Sequence, residues 1–332
     1  MMMKINSDIA GNEYDEIFEA LAERLGGDML AKRLYNQANH AASIYGGAGR
    51  MQFHPENSEL LNNVLRVLLE ISGMAGRAER NSLDLQIVRN DVVCRHLPDE
   101  FNGFKILQLS DIHIDGFIDH GEKLCDLVSE LACDLCVITG DFRFLTHSDF
   151  QRCVADLECV VNALSCPMGI YGILGNHDFI EMVPFIENTG VTVLLNENVR
   201  INRGSVSLVL AGIDDTHFYD TGDIVRALDG VSRDDFTILL AHSPDNYNSA
   251  ADAGVDFCLS GHTHGGQLCL PGGIPIITNA NCPRKYAKGP WKYKELKGYT
   301  SRGTGSSGIP ARFFCSPEIT VHHLLNPHNA ST

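Results

Sequence analysis

No run of about 18 or more apolar residues occurs in the 332-residue chain, so no segment reads as a membrane-spanning helix. The first residues, Met1 to Asn12, lack the basic and then apolar pattern of a secretory leader, and a cytoplasmic protein is expected. Positive charge is scarce: 26 Lys and Arg stand against 42 Asp and Glu, a net of −16. A protein of that sign repels polyanions and anionic lipid surfaces at long range, which disfavours sequence-independent binding of long nucleic acid. Paired CxxC motifs are missing too. Cys133-Asp134-Leu135-Cys136 has metal-knuckle or redox spacing, but no second CxxC accompanies it, and Cys136 opens an apolar run. The cysteines number eleven, an odd count without an export signal, so reduced thiols are expected rather than a disulfide framework. What remains, 44% hydrophobic and 20% charged residues, is the composition of an ordinary globular protein.

Residues 1–80 differ from the rest. Ile17, Phe18, Leu21, Leu25, Leu30 and Leu34 recur at helical spacing within residues 14–42. Leu60, Leu61, Val64, Leu65, Leu68 and Ile71 do the same after Pro55, with Gly46-Gly47-Ala48-Gly49 between the two stretches. Leu83, Leu85 and Ile87 then alternate with polar residues, as in an edge strand. Two amphipathic helices forming an appendage are expected, serving as a packing or dimerisation arm. Their faces are not rich in Lys or Arg, which argues against a membrane-surface helix.

From about residue 104 short apolar runs, 104–109, 135–139, 170–174, 206–211, 237–241 and 257–260, are separated by stretches of mixed polarity, an α/β rhythm. Five of the six end in polar residues. The endings are Asp111-Ile112-His113, Gly140-Asp141, Gly175-Asn176-His177-Asp178, Ala241-His242-Ser243-Pro244 and Gly261-His262-Thr263-His264. Ligand sites gather at the carboxyl ends of strands in α/β sheets. Carboxylates, imidazoles and one amide, with no thiolate, suit divalent Mn, Fe or Zn. Seven candidate ligands exceed the needs of one ion; two ions sharing a carboxylate would use them all.

These five motifs, in this order over roughly residues 104–323, resemble the calcineurin-like metallophosphoesterase superfamily. The resemblance implies a four-layer αββα sandwich; the N-terminal helices are an extension to it, with residues 1–80 read as the helical appendage and 81–332 as the catalytic domain. It implies that Asp111, His113 and His264 hold one ion, that Asn176, His242 and His262 hold the other, and that Asp141 bridges them. His177 matches the family's catalytic histidine, which steers the phosphate and protonates the leaving oxygen, and Asp178 would orient its imidazole. Two dications lower the pKa of a bridging water far below its bulk value, supplying hydroxide for in-line attack at phosphorus.

The serine/threonine phosphatase branch places D-R-G after the bridging aspartate, whereas Asp141 precedes Phe142-Arg143-Phe144-Leu145. Leu97-Pro98, Gly103-Phe104-Lys105-Ile106, Leu109-Ser110-Asp111, Gly265-Gly266-Gln267, Ser301-Arg302-Gly303-Thr304-Gly305 and Arg312-Phe313-Phe314 look like a bacterial phosphodiesterase subgroup. Some relatives in it hydrolyse the pyrophosphate of UDP-2,3-diacylglucosamine; those generally begin with an anchor or export signal, where this chain has its helices. The expected activity is hydrolysis of a phosphodiester or pyrophosphate in a small anionic or nucleotide-linked substrate. The rivals are a nuclease or nucleotidase on the same site and a non-catalytic scaffold.

Residues 284–312 hold eight basic side chains and one acidic, Glu295. Two readings stand: a loop that grips the non-reacting part of an anionic substrate, with Trp291, Tyr293 and Tyr299 stacking on a base or sugar, or an ordinary solvated loop. His217, in Asp214-Asp215-Thr216-His217-Phe218, either reaches the substrate or caps a loop. His40, His54, His96, His120, His147 and His328 are read as surface residues, and His322-His323 as part of a closing strand.

Overall fold

The computed structural model describes residues 11–46, 59–146 and 149–327, with side chains over 14–39, 62–146 and 149–327. Residues 47–49, His54, Pro55, His147 and His328 lie outside the described residues, as does the side chain of His40. The first helical stretch forms two helices rather than one, α1 (Gly11–Leu25) and α2 (Gly27–Gly46). Gly26, at φ +84°, turns the chain between them in the left-handed region that glycine enters without strain. α3 (Glu59–Ile71) follows, then α4 (Ala75–Ser82), whose buried residues are only Ala78 and Ser82 and which therefore has no apolar stripe to betray it.

The α/β rhythm resolves as β1 (Gln86–Val93), β2 (Phe104–Leu109), α5 (Glu122–Ser129), β3 (Leu135–Thr139), α6 (Gln151–Ala163), β4 (Ile170–Ile173), α7 (Val183–Asn188) and β5 (Val191–Val193). Next come β6 (Glu197–Arg203), β7 (Val206–Gly212), α8 (Ile224–Ala227), β8 (Thr237–Leu240), α9 (Tyr247–Ala253) and β9 (Phe257–Ser260). A small hairpin, β10 (Cys269–Leu270) and β11 (Ile274–Pro275), precedes β12 (Gly289–Tyr293), β13 (Leu296–Thr300) and β14 (Glu318–Leu325). One six-stranded sheet has the order β1-β14-β2-β3-β4-β5, the other β12-β13-β9-β8-β7-β6. β2 to β5 run parallel, as do β7, β8, β9 and β13.

Strands covered on both faces need apolar residues at every position, which is why these read as continuous runs. Within β2 and β3 the side chains divide by parity. Ile106 and Val137 meet Leu208, Leu210, Ile238 and Leu240 between the sheets. Leu107, Leu109, Cys136 and Ile138 face outward onto Leu124, Leu157 and Val160, and onto Leu21, Leu25 and Leu30 of the N-terminal helices. Ala211, Leu239 and Ala241 carry α8 and α9 on the far side through Ala227 and Ala250. The result is helices, sheet, sheet, helices: the αββα sandwich, with the N-terminal helices against its own flank. No helix among the described residues is long and apolar enough to cross a membrane. All eleven cysteines are unpaired, Cys133 and Cys136 lying buried in the core.

Candidate active site

Both sheets deliver their carboxyl ends to one place. The segments after β2, β3 and β4 carry Asp111, His113, Asp141, Asn176 and His177; those after β8 and β9 carry His242, His262 and His264, and all eight are buried. Five sit in the left-handed region although none is glycine: Asp111 (φ 47°), His113 (45°), Asp141 (55°), His262 (67°) and His264 (49°). Such conformations cost on the order of 1–3 kcal/mol each and persist where surrounding bonds over-determine them. Here the amides of Asp111 and His113 donate to the carbonyls of Gly140 and Asp141, each at 3.0 Å. The amide of His262 donates to Asp111 Oδ1 at 2.8 Å and that of His177 to Asp141 Oδ1 at 2.8 Å, so every motif is stapled to another. Gly261 admits no side chain, because a Cβ would lie 2.2 Å from Asp111 Oδ2.

Two groups of donor atoms result. Asp111, His113, Asp141 and His264 each offer one atom, all within 4.8 Å of one another. Asn176 Oδ1 lies 3.0 Å from His242 Nε2 and 3.0 Å from His262 Nδ1. Asp141 Oδ2 stands between the groups, 3.7 Å from His113 Nε2 and 3.5 Å from His242 Nε2. Backbone carbonyls accept from the outward ring nitrogens: Arg143 O from His113 Nδ1–H (2.7 Å), Thr139 O from His242 Nδ1–H (2.8 Å) and Asn279 O from His262 Nε2–H (2.9 Å). Each such bond turns the other nitrogen's lone pair inward, the arrangement that prepares an imidazole for a metal. His264 differs, its Nδ1 facing Arg312 Nη2 at 3.2 Å.

Electrostatics in the metal-free protein follow from burial and one carboxylate. Burial pushes Asp111 up to about 6, opposed by His242. Burial pulls His113 down to about 3, helped by His177, and holds His262 and His264 well below the ordinary imidazole range. Burial would lower His242 as well, but the charge and hydrogen bond of Asp141 reverse this and carry it to about 10. Burial alone would raise Asp141, yet His242 and His177 take it well below the usual carboxylate value. Three of the four candidate imidazole ligands are therefore neutral at pH 7, and loading an ion would displace a proton from His242. Carboxylate, imidazole and amide donors without thiolate fit divalent Mn, Fe or Zn, so these residues suit the metals the motifs imply.

Some expected roles change. Asp178 does not reach the His177 ring: its oxygens accept from the amides of Phe142 (2.9 Å), Arg143 (3.4 Å) and Gly175 (2.9 Å). The imidazole is held instead by the carbonyl of Phe144, which accepts from Nδ1–H at 2.8 Å. Trp291 and Tyr299 are buried core residues of the β12–β13 hairpin, not a stacking platform. Nor is the basic stretch a free cationic face. Arg302 pairs with Glu318, Lys294 with Asp252, Lys292 with Glu295, and Arg312 is fully buried among the carbonyls of Gly303, Gly305, His264 and Cys315. His217 does belong to the site's rim, its ring 4.7 Å from that of His262 and its Nδ1 2.7 Å from Asp245 Oδ2. Arg33 and Tyr219, which touch the loop bearing His177, were not singled out by motif. Their signal was slight: Arg33 and Gln37 lie on the same helical stripe as Leu30 and Leu34.

Residues 104–266 match the family model described as calcineurin-like phosphoesterase. The chain is 32% identical to a Bacillus subtilis protein named uncharacterized metallophosphoesterase YkuE, over 69% of this chain and 81% of that one. It is 27% identical to a second from the same organism, uncharacterized metallophosphoesterase YkoQ, over 75% of this chain and 93% of that one. A Bos taurus protein named transmembrane protein with metallophosphoesterase domain is 32% identical over 69% of this chain and 55% of its own length.

Proposed function

Because the chain belongs to the calcineurin-like phosphoesterase family and is a metallophosphoesterase, we propose that it hydrolyses a phosphodiester or pyrophosphate bond with two divalent ions. In this reading Asp111, His113 and His264 hold one ion, Asn176, His242 and His262 the other, and Asp141 contributes to both. The position of Asp141 Oδ2, within 3.7 Å of an imidazole in each donor group, is the observation that carries it. Bound there, the ions would supply a water of lowered pKa and neutralise phosphate charge.

The protein's own groups do the rest. The Phe144 carbonyl occupies Nδ1–H of His177, so Nε2 is the nitrogen that delivers a proton to the oxygen leaving phosphorus. Asp178, by gathering three backbone amides, sets the loop on which His177 rides. A small anionic substrate fits a site in which bound dications, rather than free basic side chains, would carry the positive charge, and unpaired thiols fit a cytoplasmic setting. If copies associate through the N-terminal helices, α3 is the available face, since Val67, Leu68 and Ile71 are exposed while α1 and α2 pack on their own domain.

The test is titration of metal-free protein with manganese while following hydrolysis of bis(4-nitrophenyl) phosphate and of nucleotide pyrophosphates, with product masses to locate the broken bond. Activity saturating at two equivalents is expected; saturation at one removes the dinuclear reading. His177→Ala should retain the metal yet lose on the order of 10²–10⁴ in kcat, and an undiminished kcat takes the proton-transfer role from His177.

A further inference from the structure

We propose that the N-terminal helix pair is a working part of the active site, with Arg33 of α2 as a positioning residue that fixes the loop bearing His177. This rests on the hydrolase reading above for its kinetic consequence, but not for its geometry.

Arg33 is completely buried. Its Nη2 donates to the carbonyl of Asp178 at 2.8 Å, its Nε lies 3.5 Å from Asp214 Oδ2, and its guanidinium carbon lies 3.5 Å from the centre of the Tyr219 ring. The Tyr219 hydroxyl in turn donates to the carbonyl of Asn176 at 2.7 Å. Arg143 Nε donates to the carbonyl between them, that of His177, at 2.6 Å. Three consecutive carbonyls, 176 to 178, are thus each held by a side chain, two of them through the Arg33–Tyr219 stack. With φ and ψ of this segment fixed from the carbonyl side, and the His177 amide fixed on Asp141, the imidazole has little backbone freedom left.

The neighbours of Arg33 on α2 extend the same contact. Gln37 accepts from the amide of Ile180 at 3.0 Å and donates to Glu181 at 2.7 Å. Asn36 donates to the carbonyl of Tyr219 at 2.6 Å, and Lys32 pairs with Asp220 at 2.7 Å. One helix face therefore grips two loops, the one continuing from His177 and the one bearing His217. A packing arm would need only apolar side chains here. Arg33 Nε and Nη1 have no hydrogen-bond partner among the described residues, a desolvation cost that an aliphatic residue would avoid. What an aliphatic residue could not do is hold Asp178 and Asp214 together.

The consequence is kinetic and selective. Six of the seven proposed metal ligands lie outside this loop, and the side-chain oxygen of the seventh, Asn176, lies between His242 and His262, so departure of a good leaving group, which needs little protonation, should suffer least. The experiment compares wild type, Arg33→Met, Arg33→Lys and the milder Tyr219→Phe, each loaded with manganese, on methyl aryl phosphodiesters whose phenols span weakly to strongly basic leaving groups. Expected is a loss in kcat for Arg33→Met that grows by on the order of 10-fold or more from the best to the poorest leaving group. Metal content and KM should stay close to wild type, with Arg33→Lys recovering part of the loss and Tyr219→Phe following the same trend more weakly. A loss uniform across the series overturns the proposal, because it reports fewer folded molecules rather than a misplaced acid. Amide hydrogen exchange provides a second arm that needs no activity. Peptides covering 175–182 and 214–221 should exchange faster in Arg33→Met while β2, β3 and β8 keep their protection, and unchanged exchange in those peptides also overturns it. Wild-type protein without metal-dependent hydrolysis would sink the hydrolase reading alone, leaving exchange to decide whether Arg33 holds the loops.

Discussion

Replacing Gly175 by alanine tests the centre with one methyl group. A Cβ there would sit 2.2 Å from Asp141 Oδ1, 2.6 Å from the Asp141 amide nitrogen and 2.7 Å from His242 Cε1. Ordinary van der Waals contact begins at 3.4 Å, so the carboxylate would have to retreat by more than 1 Å. Metal–ligand bonds tolerate only about 0.2 Å. The Asp141 backbone has no easy retreat either, because its carbonyl accepts from His113 and its φ is 55°. Overpacking of this kind costs about 1–3 kcal/mol, which for a chain of this size lowers Tm by several degrees. Because Asp141 Oδ2 faces both donor groups, manganese affinity should fall at both positions together, by roughly 10²-fold or more, judged against the 10–100-fold typical of losing a supporting partner alone. Metal analysis after equilibrium dialysis, calorimetric titration with manganese and the Tm of the metal-free protein measure the three effects separately. A Gly175→Ala protein with wild-type manganese affinity and turnover would refute the reasoning, since it would show that the Asp141 carboxylate need not occupy its observed place.

Other outcomes follow from the same geometry. Asp141→Asn, nearly isosteric, should reduce bound metal at both positions, and wild-type content by elemental analysis would contradict the shared role of that carboxylate. His322 is buried on β14, its Nε2–H donating to Gln108 Oε1 and its Nδ1 accepting from Asn90, and burial lowers it to about 3. The unfolded imidazole takes up a proton near pH 6.5 that the native one refuses, so this stability is present above pH 6.5 and lost as pH falls toward 3. Between pH 7 and pH 5 the loss is about 2 kcal/mol. Urea midpoints at the two pH values should therefore differ less for His322→Gln than for wild type, and equal differences would remove the assignment.

Much of the sandwich was legible because its central strands are buried on both faces. Runs 104–109, 135–139 and 257–260 coincide with β2, β3 and β9, and the other three differ by a residue at one end. The donor residues were legible for a related reason: chemistry at strand ends follows directly on the apolar run, so Asp111 or His262 stands out against it. Contacts made across the fold left no such mark. Nothing local says that Asp178 turns to three amides rather than to the adjacent imidazole, or that the Phe144 carbonyl takes its place. Trp291 and Tyr299 looked like a platform because aromatic residues between lysines suggest an exposed face, whereas the strands of the hairpin bury them. Arg33 is the opposite case. A charge beside Leu30 and Leu34 reads as the polar edge of a helix, and only tertiary packing buries it completely.

The last strand is also the keystone of its sheet. β14 lies between β1 and β2, parallel to the first and antiparallel to the second, and among the described residues β1 has no other strand beside it. During synthesis β1 and the flank of β2 must wait until residues 318–325 leave the ribosome, with an open hydrogen-bonding edge on β2 throughout. Translation halted before residue 318 would yield a chain whose first sheet is split, with bare edges suited to pairing with other nascent copies. The first sheet thus closes only when β14 arrives to join β1 to β2.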